Sequence, residues 1–342
     1  MDTMAPLRAE SEIEQVAVIG AGTMGRQIAA LIAVSGVPVT LHDSDPANLD
    51  AALTRIDSET RTFPTAPQYR HHPHRLPPPD PADFLPRIHP VVTLAEAVER
   101  ADLVIEAVRE DVTVKRELFL DLDRLAPRAI LATNSSSLPS SLLVPSVANP
   151  KRLLNLHFFA PIWVRSMLEI MGCGETTPEV IATAERFGRS LGLVTAVVRG
   201  ESKGFIINRV WRAVKRESLR VVDEGHADPA DVDRLWMLFF GTDVGPFGVM
   251  DMVGLDVVAD IEASYAAVST DSEDRASTVL HRLVDQGKLG EKTGEGFYHH
   301  PDPEYLAAGW LRGGHERQPG DALDRPAPTA TPDTSSDPEK NT

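Results

Sequence analysis

The chain has 342 residues and carries 50 acidic against 34 basic side chains, a formal charge of −16, which argues against nucleic acid or an anionic membrane as partner. Its 42% hydrophobic and 25% charged residues suit an ordinary globular protein with room for two domains. Cys173 is the single cysteine, so no intrachain disulfide exists, and with no leader-like or transmembrane-length apolar run the chain reads as cytoplasmic.

In chain order, "QVAVIG" reads as a short buried strand, "AGTMGRQIAALIAVSG" as a helix closed by Gly36, and "VPVTLHD" as a second strand. The next segment, 63–87, is rich in Pro and His and cannot hold a continuous helix. Apolar runs recur at 101–108, 129–137, 153–159 and in "SMLEIM", with helical segments between most of them. Strands alternating with helices predict a doubly wound α/β domain on a parallel sheet with right-handed crossovers. Beyond residue 200 the pattern turns helical. "GFIINRVWRAVKRESLRVVDEG" places Ile207, Val210, Trp211, Val214, Ser218 and Val221 on one face. Asp228 and Pro229 read as N-cap and first position of a second helix, and "DMVGLDVVADIEASYAAV" as a third. The predicted domains are 15–199, with the 63–87 insert, and an all-α domain at 200–311, followed by a polar, Pro-rich, disordered tail at 312–342.

Gly20, Gly22 and Gly25 in "GAGTMG" follow a strand and open a helix, and Asp43 ends the next strand. That context, rather than the glycines alone, is the dinucleotide-binding fingerprint of a Rossmann-type domain. Gly20 permits the turn, Gly22 lets a pyrophosphate approach the backbone, and Gly25 lets helix and strand pack closely. Thr23 and Met24 open the helix whose free N–H groups face the phosphates. Asp43 accepts from ribose hydroxyls and repels a 2′-phosphate, which predicts NAD over NADP.

His157 and Glu169 sit in apolar runs on either side of a Pro-containing loop. A lone His there is more often a packed core residue than a catalyst. Here the two meet if their strands are neighbours, and a carboxylate on one imidazole nitrogen leaves the other free to take a proton. "TNSSSLP" falls at the carboxyl end of an earlier strand, the edge where ligands bind in open parallel sheets.

The segments "GAGTMG", "VIEAVRED", "TNSSSL", "HFFAP…EIMG", "KGFIINRVW", "VGPFGVMDMVGLD" and "KTGEGFY" occur in an order that resembles the L-3-hydroxyacyl-CoA dehydrogenase family, 3-hydroxybutyryl-CoA dehydrogenases among them, over about Gln15 to Tyr298. The resemblance implies a Rossmann domain followed by an all-α dimerisation domain, a homodimer, and NAD-dependent oxidation of 3-hydroxyacyl thioesters in fatty acid metabolism. It implies that His157 is the general base and Glu169 its orienting carboxylate. Ser136 is similar to the serine that bonds the substrate hydroxyl, and Asn208 to the asparagine that completes the polar site. Glu110, Lys115, Asn134 and Lys292 match positions near the cofactor. Read from the residues alone, the alternative for Glu110 and Lys115 is a surface helical pair, and for Asn208 a helix-terminal residue.

Two features depart from the family pattern. Ala160 stands where the family has Asn, removing an amide's hydrogen bonds, and Arg165 in the following loop either meets an anionic substrate group or faces solvent. The family's helical CoA-clasping arm is replaced by the 63–87 segment, whose "YRHHPHR" offers Arg70 and Arg75 to a phosphopantetheine or an acidic carrier, or is a solvated loop. No metal site is expected there. Coenzyme A is the default carrier, with an acyl carrier protein or an unusual hydroxy acid as the alternative substrate class. A non-catalytic NAD-binding protein of the same fold is the alternative outside enzymes, disfavoured by Ser136, His157, Glu169 and Asn208 occurring together. A related mechanism with Lys215 as catalyst finds that lysine too far along its helix.

Overall fold

A computed structural model describes residues 13–63, 76, 78–267, 269–270 and 274–313. Most of the Pro/His-rich insert, including "YRHHPHR", and the tail from residue 314 lie outside the described residues. The chain divides into two compact units, through Arg209 and from Val210 on.

The first unit is built on β1 (Val16–Ile19), β2 (Val39–His42), β3 (Ile88–Val91), β4 (Leu103–Glu106), β5 (Ile130–Thr133), β6 (Leu153–Phe158), β7 (Met167–Gly172) and β8 (Val194–Val198). They form one eight-stranded sheet in the order β3-β2-β1-β4-β5-β6-β7-β8. The helices are α1 (Thr23–Val34), α2 (Pro46–Thr62), the short α3 (Pro81–Phe84) and α4 (Leu94–Val98), α5 (Val112–Leu125) and α6 (Pro178–Ser190). Both sheet faces are covered, which explains why the central strands read as unbroken apolar runs. Val16 and Val18 of β1 pack with Ile28, Leu31 and Leu103, while Ala17 and Ile19 pack into a second cluster with Phe119, Leu122 and Leu131.

The sheet is not wholly parallel. β7 runs antiparallel to β6, and β8 runs parallel to β7. Parallel neighbours need a crossover of a dozen or more residues, and the loop between Phe158 and Met167 is too short for one. Two strands escaped the sequence reading. β3 carries Pro90 and exposed residues at the sheet margin, and β8 is an edge strand with Val194 73% exposed, so neither shows a buried-strand pattern.

The predicted domain boundary at 199/200 falls earlier than the structural one. Residues 202–207 are bonded to β7, with Ser202 N–H on Met171 Sδ and Ile206 and Ile207 N–H on Glu169, so the linker belongs to the first unit.

The remaining helices are α7 (Ile207–Asp223), which runs across that boundary, α8 (Pro229–Phe240), α9 (Pro246–Val253), α10 (Leu255–Ala266) and α11 (Thr278–Asp285). Leu219, Met237, Phe247, Met250, Val258, Leu280 and Tyr298 form the second unit's core. Asp228 and Pro229 open α8 as expected. The face assigned to α7 is displaced: its buried residues are Lys215, Ser218, Leu219 and Val222, whereas Val210 is 56% exposed. Lys215 takes a core position because Glu262 of α10 accepts its charge at 2.9 Å, which a hydrophobicity pattern does not register. The third helical stretch is cut in two at Gly254, whose φ of 99° an α-helix cannot accommodate. No helix among the described residues is long and apolar enough to cross a membrane.

Candidate active site

The order of strands in the sheet reverses between β1 and β4, and the carboxyl ends of these strands bear the glycine loop and Glu106. Such a switch point is where open α/β sheets bind ligands. Gly20 has a φ of 105°, and a Cβ there would meet Ala107 O at 2.8 Å. At Gly25 a Cβ would fall 1.7 Å from Gly20 O, so no side chain fits between the turn and α1. A Cβ on Gly22 would meet nothing within 4 Å, leaving open space over the backbone where α1 begins without a side-chain cap. Thr23 is exposed in that first turn, and Met24 is half-buried against the core.

Asp43, just past β2, is fastened to this loop. Its Oδ2 accepts from Ala21 N–H at 3.0 Å, and its Oδ1 from Asp45 N–H at 3.1 Å and Asn48 Nδ2 at 3.0 Å. Burial pushes its pKa up, but these hydrogen bonds outweigh that and hold it below the usual carboxylate range. A carboxylate offers about four acceptor sites, so ribose hydroxyls retain a place. Open backbone at Gly22, uncapped helix N–H groups and a fixed anion beside them suit a dinucleotide.

A buried network lies beside this crevice. Glu106, fully buried at the end of β4, accepts from Val108 N–H at 2.7 Å and Thr133 Oγ1 at 2.7 Å. Lys115 Nζ donates to both its oxygens at 2.6 and 2.8 Å, and lies 3.2 Å from Glu110 Oε2. Lys115 is 1% exposed, so it is not one half of a surface helical pair, and its three N–H protons all have carboxylate partners. Glu110 in turn accepts from the hydroxyls of Ser135 and Ser137 and from Ser137 N–H. Burial raises the Glu110 pKa, but the two serines and Lys115 overcome this and set it below the ordinary range. The serine loop is clamped from the other side by Asn155 on β6, which accepts from Ser140 N–H at 2.7 Å and donates to Leu138 O at 3.1 Å. Asn134 Oδ1 accepts from Phe158 N–H at 2.9 Å, tying the loop's first residue to the one after His157. Between its fixed neighbours Ser136 is exposed, and its hydroxyl has no bond to another described residue.

β6 and β7 pair with His157 directly opposite Glu169, and such partners project to the same sheet face. His157 Nδ1 lies 2.9 Å from Glu169 Oε2, with both residues 4% exposed. A carboxylate only accepts, so Nδ1 carries the proton and Nε2 is left as the acceptor. Glu169 Oε1 accepts from Ile206 N–H at 3.0 Å and Ile207 N–H at 2.8 Å. The rings of Phe159 and Phe205 lie 4.0 and 4.9 Å from the imidazole, centroid to centroid. The arrangement is an imidazole oriented by a carboxylate, in an apolar setting at the carboxyl end of the sheet's parallel strands.

The other candidates are placed as follows. Asn208 is half-buried in the first turn of α7, one residue past the N–H groups that Glu169 holds. Lys292 belongs to the second unit, where it is ion-paired with Asp256. Lys215 is engaged with Glu262. Ile162, Trp163 and Val164 turn into the first unit's core, Ile162 N–H bonding Gln27 Oε1 at 3.1 Å, and Arg165 is half-buried with an interaction inside the chain. Cys173 is buried, its Sγ against Pro150 O. Among the described residues no group of His, Cys, Asp or Glu is arranged to hold a metal ion. Glu106, Asn155 and Phe205 were missed. A carboxylate closing the apolar run "LVIE" was the available signal for Glu106, and it poses the same question as Glu169 in "LEIM".

Residues 15–202 match the profile described as 3-hydroxyacyl-CoA dehydrogenase, NAD binding domain, and residues 204–300 match the C-terminal domain of the same family. The chain belongs to the 3-hydroxyacyl-CoA dehydrogenase family. Its cofactor is NAD and its chemistry is that of an oxidoreductase. It is 34% identical to a probable 3-hydroxybutyryl-CoA dehydrogenase of Bacillus subtilis over 84% of this chain and 97% of that protein. It is also 31% identical to the 5-formyl-3-hydroxy-2-methylpyridine 4-carboxylate 5-dehydrogenase of Mesorhizobium japonicum over 84% of this chain and 90% of that one. Among solved structures, a diketoreductase superimposes with a TM-score of 0.74 at 34% identity, covering 84% of this chain and 99% of its own. The dehydrogenase family thus includes relatives named for CoA esters and relatives named for small carbonyl compounds.

Proposed function

We propose that this family member interconverts a 3-hydroxyacyl thioester and the 3-oxoacyl thioester, with His157 as general base and Glu169 as the carboxylate that orients it. The 2.9 Å bond between His157 Nδ1 and Glu169 Oε2 carries the reading. NAD, held by Gly20, Gly22, Gly25, the first turn of α1 and Asp43, supplies the hydride acceptor. His157 Nε2 takes the proton of the substrate hydroxyl, and Glu169 balances the charge that this places on the imidazole. The Ser136 hydroxyl and the Asn208 amide orient the substrate oxygen. Glu110 and Asn134 hold the serine loop beside the cofactor, Lys115 acting through Glu110. Phe159 and Phe205 limit water around the base.

His157→Gln should lower kcat by about 10²–10⁴ while NAD binding persists, since that is what a positioned base supplies. Full turnover in that variant would overturn the assignment. Glu169→Gln should lower turnover and leave NAD binding intact.

A second reading keeps the chemistry and changes the carrier or the acid. Ala160 in place of an amide side chain favours it, as does similarity to a dehydrogenase named for a pyridine carboxylate. Acetoacetyl-CoA assayed beside its acyl-carrier-protein analogue separates the two; strong turnover of the CoA ester irrespective of carrier eliminates the second reading.

We also infer a cytoplasmic homodimer. On α8, Leu235, Leu238 and Phe239 are 68%, 58% and 82% exposed, an apolar face of the kind that a two-fold partner buries. Sedimentation should give a dimer at micromolar concentration and a monomer for Phe239→Glu; a strictly monomeric wild-type chain would refute the inference.

A further inference from the structure

Phe205 is the one non-glycine residue with positive φ, 54°, among the described residues. The left-handed region is unfavourable for an L-residue, so the surrounding structure must impose it. Several contacts do so. Phe205 N–H bonds Ser202 O at 3.0 Å, the Ser202 hydroxyl bonds Phe205 O at 3.0 Å, and Ser202 N–H rests on Met171 Sδ at 3.3 Å. The Phe205 side chain is 2% exposed and packs with Met171 of β7 and Val198 of β8.

The turn has two consequences, both at the base. The chain reverses at Gly204, with φ of 79°, and Phe205, so the next two N–H groups, of Ile206 and Ile207, converge on one oxygen, Glu169 Oε1. The other oxygen, Oε2, is the one His157 uses. A carboxylate held by two backbone donors on one oxygen cannot rotate without losing both, and a buried carboxylate left without partners is unfavourable. The same residue lays its ring 4.9 Å from the imidazole at 37°. Phe159, at 4.0 Å, covers the imidazole as well.

We propose that Phe205 is a positioning residue for the oxidoreductase reaction: its left-handed backbone locks the Glu169 carboxylate and its ring fixes the plane of His157. The proposal rests on the reading of His157 as base, and extends it from a pair of side chains to the segment that leads into α7.

The test compares Phe205→Val with Phe205→Leu in the full-length chain, by steady-state kinetics on acetoacetyl-CoA and by NADH-binding titration. A β-branched side chain is poorly tolerated at positive φ, so valine should displace the two N–H groups, whereas leucine keeps the backbone and loses the ring. Valine should lower kcat about 100-fold, as a misplacement of about 1 Å does, and leucine about fivefold to tenfold; KM for NADH should change less than about twofold in both. In a Glu169→Gln background the valine substitution should add no more than the roughly fivefold to tenfold that loss of the ring alone costs, because the group its backbone aligns is gone. Valine within about twofold of wild type, or full additivity with Glu169→Gln, overturns the proposal. If valine does not fold, the leucine variant and Phe205→Gly decide, since glycine keeps the turn and removes the ring; wild-type kcat in both would overturn it. Loss of turnover in His157→Gln with no effect at Phe205 ends this proposal alone, whereas unimpaired His157→Gln ends the reading beneath it.

Discussion

Each unit buries carboxylates, and the two neutralise them in opposite ways. In the first, the ammonium of Lys115 pairs with the fully buried Glu106 and with the more exposed Glu110, so that the burial of Glu106 is compensated by a full opposite charge. In the second, Asp233 and Asp251 have no lysine or arginine within ion-pairing distance among the described residues. Asp233 accepts from Phe247 N–H, Gly248 N–H and the Tyr298 hydroxyl; Asp251 accepts from Phe297 N–H and Tyr298 N–H, with His300 Nε2 at 3.1 Å. Gly296 lies so close that a Cβ there would meet Asp251 Oδ1 at 2.2 Å, which accounts for the second glycine of "KTGEGFY". Burial, only partly offset by these donors, pushes Asp233 up to about 6 and raises Asp251. Burial likewise raises Tyr298, and Tyr305 beside it to about 12. A paired charge thus fixes geometry around the candidate site, whereas an unpaired one makes the helical unit sensitive to acidity.

Breaking the paired side should have the largest effect. Lys115→Met leaves Glu106 buried without its counter-charge, and should cost about 3–5 kcal/mol of unfolding free energy in denaturant titration. A loss below about 1 kcal/mol would mean that the network is not the support described above. The serine loop should loosen with it, so hydrogen exchange at residues 134–138 should accelerate.

The unpaired side predicts a pH dependence of definite sign. The Asp233 pKa is higher in the folded than in the unfolded chain, where it is 3.8, so its stabilising contribution is complete below about pH 4 and is lost as pH rises through about 6. The span is worth on the order of 3 kcal/mol. Hydrogen exchange in α8 and α9 should therefore slow when the protein moves from pH 7 to pH 5, after correction for intrinsic rates, and Asp233→Asn should flatten that response. The first unit behaves oppositely. Asp43 and Glu110 have lowered pKa values, so their contributions are present above the ordinary carboxylate range and disappear as pH falls below it. The two units should respond to acid in different pH windows and with opposite signs; parallel responses would dissolve the contrast.

The smallest expected effect concerns the cofactor. Asp43→Asn keeps part of the hydrogen bonding to the glycine loop and removes the negative charge, so preference for NAD over NADP should fall by about tenfold in kcat/KM. An unchanged ratio would show that the anion beyond β2 does not discriminate.

Local rules were enough to read much of this. Gly20, Gly22 and Gly25 declare themselves because a turn geometry and a close approach act within a few residues. The doubly wound frame follows from apolar runs alternating with helical periods. His157 and Glu169 stand out as ionisable groups in apolar surroundings. What escaped was decided by partners distant in the chain. The antiparallel return of β7, which alone sets Glu169 opposite His157, depends on a loop too short to cross the sheet. Lys115 reads as a surface lysine until β4 and β5 bring Glu106 and Thr133 around it, and α7 shows an apolar stripe that the structure turns aside so that Lys215 can reach Glu262. Periodicity and turn preference are properties of neighbours along the backbone; the compensation of a buried charge, and the left-handed turn at Phe205, exist only once strands far apart in sequence have become neighbours in space.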